Sequence, residues 1–171
     1  MYSYMDTLAP INCKIDPHIE NLNFYHSIYP WIPNEYQIRP TEKNIRMKEK
    51  NMNVIQSQYH SIEDYIHINI FNSNLKILNN KYLAIEKNKD ISSFQVCPFK
   101  YQLHPDTLHY ILWYSMDIGT YINDEKITSD IQKYIYTIIK NDKFSFVWYE
   151  NPKMSIPEIY HVHVFWIKNS S

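Results

Sequence analysis

Two runs near the end of the chain constrain its fold more than anything else in it: FSFVWY at 144–149 and HVHVFWI at 161–167. Successive side chains of a strand point to opposite faces of its sheet. In the second run His161, His163, Phe165 and Ile167 share one face, and Val162, Val164 and Trp166 share the other. In the first, Phe144, Phe146, Trp148 and then Glu150 fall on one side. A strand with one wet face carries a polar residue at every second place, and a strand buried on both faces does not. Both runs are therefore read as interior strands with cover on two sides.

The connection between them holds an Asn151-Pro152 step and a Ser155-Ile156-Pro157 step. Such steps end a strand and shape a turn. An antiparallel hairpin with Phe146 opposite Phe165 sets Trp148 against His163 and Glu150 against His161. Polar residues would then collect at the loop end. A slip of one residue would send Glu150 to the other face.

The rest of the chain supplies the cover. Residues 1–40 hold Pro10, Pro17, Pro30, Pro33 and Pro40, and proline removes a helix donor. This segment reads as a mostly irregular, aromatic N-terminal arm that wraps on the domain formed by 41–171 and buries Trp31. Thr41 caps a helix running to residue 59, and Ser61 caps a second with Ile62, Tyr65, Ile66 and Ile70 as its buried stripe. The Asn-rich stretch 72–80 reads as a loop, and 81–87 and 93–97 as short strands. A helix is expected over 104–115, capped by Asp106. Another is expected from Thr128 or Ser129, with Ile131, Ile135, Ile138 and Ile139 on one face. The class is α+β: a small, largely antiparallel sheet packed with about four helices.

Composition mainly excludes. Gly119 is the single glycine in 171 residues, so neither a P-loop nor a dinucleotide fingerprint can be built. The net charge of -1 gives no pull toward nucleic acid or anionic lipid. Cys13 and Cys97 have no zinc-finger or redox spacing and are expected as free thiols. The N-terminal MYSYMDTLAPINCK lacks the basic-then-apolar order of a secretory signal, and no apolar run reaches membrane-spanning length. The expected setting is intracellular and cytoplasmic. The 16 tyrosines, with abundant Asn, Ile and Lys, match coding from an AT-rich genome.

The candidate chemistry centres on the strand-borne histidines. Two histidines at i and i+2 lie about 7 Å apart at the backbone and can converge on one metal ion or one phosphate. Glu150 is the candidate third ligand or orienting carboxylate, and His104 and His109 are further candidates. A cluster of His161, His163, Glu150 and His109 could support metal-assisted hydrolysis or general acid–base catalysis, with His161 and His163 as ligands of a divalent metal. Asn151, Ser155, Arg39 and Arg46 are candidate contacts to a small anionic ligand. Salt bridges are the plainer role for the arginines, and a turn hydroxyl is the plainer role for Ser155. In the competing reading the histidines only satisfy hydrogen bonds inside a scaffold.

Three stretches carry a resemblance. Tyr59, Ser61, Asp64 and Tyr65, then His109, Ile111, Leu112 and Trp113, then Asn151, Pro152, Ser155, Pro157, His161 and His163 form a pattern. It resembles a domain of unknown function shared by fungi and giant DNA viruses, over about residues 39–167. The resemblance implies a domain type and a viral source, hence host cytoplasm or virion as location, and brings His109 into one motif set with the terminal pair. It implies no reaction. Histidine-triad hydrolases are disfavoured because Phe165 stands at the third place, and two-histidine phosphoesterases because their paired His-x-Thr/Ser motifs are missing. The function expected is a His/Glu site for a small anion or divalent metal. The alternative is a non-catalytic interaction or virion component that docks a protein partner through the aromatic arm.

Overall fold

The computed structural model describes residues 11–99, 101–115, 122–151 and 156–169. In chain order its elements are β1 (Asn12–Lys14), α1 (Ile19–Ile28), α2 (Glu42–Gln58), α3 (Ile62–Asn69), β2 (Asn74–Leu78), β3 (Lys81–Ile85), β4 (Ser92–Val96), β5 (Leu108–Tyr114), α4 (Asp124–Ile139), β6 (Phe144–Tyr149) and β7 (His161–Lys168). The fold is α+β. One five-stranded sheet has the order β1-β6-β7-β5-β4, and β2 and β3 form a separate antiparallel ribbon. In the larger sheet only β1 joins in parallel, beside β6.

The two terminal runs are central strands, as their composition requires. Every residue of β6 is buried, and so are the first six of β7. On one face Phe146, Trp148, Val162, Val164 and Trp166 meet Ile127, Ile131 and Ile135 of α4. On the other face lie two smaller cores. Val147, Tyr149 and Phe165 pack with Ile15, Leu22 and Ile32 of the arm. Ile111 and Trp113 pack with Ile66, Phe71 and Ile159 beneath α3. All three cores thus meet on the two faces of this sheet.

Several local expectations change. The pairing of β6 with β7 is shifted by one residue: Phe146 opposes Trp166, Val147 opposes Phe165, and Tyr149 opposes His163. Each β6 side chain meets the partner that packing selects on its own face, so the aromatic Tyr149, not Glu150, stands beside the histidines.

The stretch expected as a helix at 104–115 is strand β5, paired with both β4 and β7. Its LHYILWY run is apolar on both faces, and periodicity cannot separate such a strand from a buried helix. Helix α4 begins earlier than Thr128, because the Asn123 side chain accepts from the Lys126 amide. Ile138 of its expected buried face is exposed at 46%.

Inside the Asn-rich stretch lies β2, which turns into β3 through Asn79 and Asn80 at φ 50° and 63°. Asparagine tolerates the left-handed region, so this glycine-poor chain makes a two-residue hairpin turn without glycine. The arm is more regular than its prolines suggest, since it contributes β1 and α1. Trp31 is half-buried there, edge-on to Tyr29, and its carbonyl accepts from Thr107. Thr41 and Ser61 cap α2 and α3 as expected, accepting from the amides of Asn44 and Asp64. No helix among the described residues is long and apolar enough to cross a membrane.

Candidate functional site

The histidines of β5 and β7 lie on the sheet face opposite α4. In β7 the alternation places His161 and His163 on the same face as Phe165, while Val162 and Val164 enter the α4 core. Register across the strand pair sets His109 opposite Phe165, Ile111 opposite His163 and Trp113 opposite His161. The result is a row of rings. His109 stacks on Phe165 at 4.3 Å, Tyr149 stacks on His163 at 5.8 Å, and Trp113 stacks on His161 at 4.5 Å. Tyr101 stacks on His109 at 5.0 Å.

Two hydrogen bonds organise this row. His109 Nε2 and His163 Nδ1 are 2.9 Å apart. His161 Nδ1 lies 2.9 Å from the carbonyl oxygen of Ile159, to which it donates. All three rings are buried, and burial penalises the charged imidazolium. It lowers the pKa of His161, and takes His163 to about 4 and His109 to about 2. Neighbouring charge adds to the effect: His163 acts on His109, and His161 and Lys48 act on His163. The three histidines are neutral at physiological pH.

His161 and His163 form part of the floor of a cavity of about 540 Å³ between the sheet and helices α2 and α3. Its apolar walls include Met52 and Ile55 from α2, Ile62, Ile66 and Ile70 from α3, and the aromatic Phe99 and Trp113. Its polar lining residues include Lys48, Asn51, Asn69, Gln95, Tyr101 and Asn151. Helix α3 is held in place by Asp64, a buried carboxylate that accepts from the Ala84 amide and from the Ser61 hydroxyl. Helix α2 has no buried residue and forms the outer wall.

The expected site is therefore only partly assembled. His161, His163 and Asn151 line the cavity, and His109 supports His163 from the next strand. Glu150 does not join them. It follows Tyr149 by one residue, so it turns to the other face of the sheet. There it accepts from the Tyr160 hydroxyl and lies 3.9 Å from Lys14. The set His161, His163 and Glu150 is not formed, and among the described residues no three His, Cys, Asp or Glu gather as a metal site. Arg39 pairs with Glu35 and Arg46 with Glu42, both exposed, and neither lines the cavity. His104 Nδ1 accepts from the Asp106 amide. Ser155 and Pro152 lie outside the described residues.

Sequence reasoning missed Lys48, Gln95, Cys97, Tyr101 and Trp113 as parts of one wall system. Trp113 alone carried a signal, as one of the positions, with His109, Ile111 and Leu112, on which the family resemblance rests. Lys48 and Tyr101 carried none, because the segments bearing them meet only in the folded chain.

No protein-family model matches the chain, and no curated protein matches it. It is similar to the solved structure described as "Crystal Structure of HTC1", at 10% identity and a TM-score of 0.34, over 87% of this chain and 82% of that one. A likeness at that level carries no argument about chemistry.

Proposed function

We propose that this protein binds a small, uncharged, mostly apolar organic molecule in the cavity between the sheet and helices α2 and α3. The observation that carries the reading is the pair His161 and His163, neutral and buried at the floor of a cavity of about 540 Å³ whose walls mix aliphatic, aromatic and polar side chains. Ligand cavities run from about 300 to 1,000 Å³ and join apolar walls to a few polar groups that fix orientation. Neutral imidazoles offer an anion little attraction, and Lys48, the one charged residue among the described lining, is exposed on the outer helix α2. The metal reading needs a third ligand, and Glu150 is on the far side of the sheet.

The resemblance to the fungal and giant-virus family belongs to the same proposal. Its three motifs lie far apart in the chain, yet Tyr59 and Tyr65, Ile111 and Trp113, and Asn151, His161 and His163 all line this one cavity. Convergence of separate motifs on one cavity is what a shared binding role would require. A viral source, with host cytoplasm or virion as the location, goes with that membership.

The test is a titration of neutral bicyclic aromatics followed by tryptophan fluorescence, since Trp113 lines the cavity. Saturable binding is expected, weakened at least tenfold by Met52→Trp or Ile55→Trp. Both residues are half-buried on α2 and line the cavity. Absence of saturable binding, or binding indifferent to both variants in folded protein, would overturn the reading.

A further inference from the structure

The two hydrogen bonds of the histidine row fix more than ring orientation. A neutral imidazole carries one N–H and one bare lone pair. The Ile159 carbonyl can only accept, so His161 holds its hydrogen on Nδ1 and its Nε2 is the lone pair.

The tautomer of His163 follows from its neighbour. One hydrogen lies between His109 Nε2 and His163 Nδ1. His109 Nδ1 is buried with no partner among the described residues. A hydrogen on that atom would leave an orphaned buried donor, which is rarer in folded proteins than an orphaned acceptor. The hydrogen therefore sits on His109 Nε2 and is donated to His163 Nδ1. The remaining hydrogen of His163 is on Nε2.

Neither Nε2 has a hydrogen-bond partner among the described residues. Both rings line the cavity, with centroids 6.1 Å apart and planes inclined at 61°. The floor thus presents an acceptor, His161 Nε2, beside a donor, His163 Nε2–H.

We propose that these two atoms read one edge of the ligand, and that the ligand is a neutral lactam: a ring N–H given to His161 beside a ring C=O that accepts from His163. The inference rests on the small-molecule reading and names its chemical class. Competing chemistries fit the pair less well. A metal needs lone pairs from both rings, and only His161 has one to give. A carboxylate is ionised near neutrality and would set an oxygen against that lone pair. A hydrocarbon would leave both atoms desolvated and unpaired.

The test uses three bicyclic probes of nearly one shape, titrated calorimetrically into the full chain. The lactam 2-quinolone has N–H beside C=O. Coumarin puts oxygen where 2-quinolone has N–H, and naphthalene lacks both groups. The lactam should bind at least about tenfold more tightly than coumarin, because a site built around a donor rejects the analogue without it. His161→Phe should bring the two within about twofold, and His163→Phe should weaken the lactam with little effect on naphthalene. Equal affinity of wild-type protein for lactam and coumarin would overturn this inference and leave the cavity reading standing. Binding of none of the three would overturn both. The wild-type comparison decides the matter even if a histidine variant fails to fold.

Discussion

His109 and His163 are 54 residues apart in sequence, sit on adjacent strands, and join ring to ring through a 2.9 Å hydrogen bond. The bond makes His109 a positioning residue. It does not line the cavity, but it sets which nitrogen of His163 bears a hydrogen there. Phe165 and Tyr101, stacked on His109, hold its plane.

Acid should unfold this protein earlier than its composition suggests. The unfolded chain takes up protons on histidine below about pH 6.5, whereas folded His163 resists them down to about 4. A folded pKa held below the unfolded one gives stability that is complete above about 6.5 and is lost as pH falls toward 4. At about 1.4 kcal/mol per tenfold step, His163 accounts for roughly 3 kcal/mol across that window. Urea unfolding at pH 7.5, 6 and 5 should show the decline, and His163→Phe should flatten it.

The tautomers can be read directly. Long-range nitrogen–proton correlation spectra of the free protein near pH 7 should assign the hydrogen of His161 to Nδ1 and that of His163 to Nε2. A His163 ring protonated on Nδ1 would remove the donor from the cavity floor and with it the lactam inference.

Helix α2 should be the least protected helix of the sheet-facing layer. It runs 17 residues with no buried side chain, while α4 buries Ile127, Ile131 and Ile135. Local opening is easiest where few apolar contacts must be broken. In hydrogen exchange, amides of 42–58 should exchange well before those of 124–139. A saturating cavity ligand should slow the first set and leave the second unchanged.

Two isoleucines of α4 should behave very differently on truncation. Ile131 is fully buried against the sheet, and Ile138 is exposed at 46%. Ile131→Ala should cost about 3 kcal/mol, within the usual 2–5 for such a deletion in a core. Ile138→Ala should stay within about 0.5 kcal/mol, as surface changes do. Chemical denaturation of the two variants beside wild type measures both.

The local rules were legible in the chain. Runs apolar on both faces, FSFVWY and HVHVFWI, are central strands, and Thr41 and Ser61 start helices, because burial and capping depend on residue type and short spacing. The α+β class followed from the same signals. Residues 108–114 were not legible, since a strand and a helix buried on all sides show the same unbroken apolar run until neighbouring strands claim their backbone hydrogen bonds.

The site divides in the same way. That His161 and His163 share a face is a property of strand geometry and stands in the sequence alone. Which residue faces them is a property of register. One step of register put Tyr149 in the place of Trp148 opposite His163 and turned Glu150 to the other face, so that a stacking ring and no carboxylate meets the histidines. Only the folded chain could make that choice, because it is set by how aromatic side chains from β5, β6 and β7 fill one face together. The same long-range packing brought His109 to His163 and closed α2 and α3 over them as a cavity.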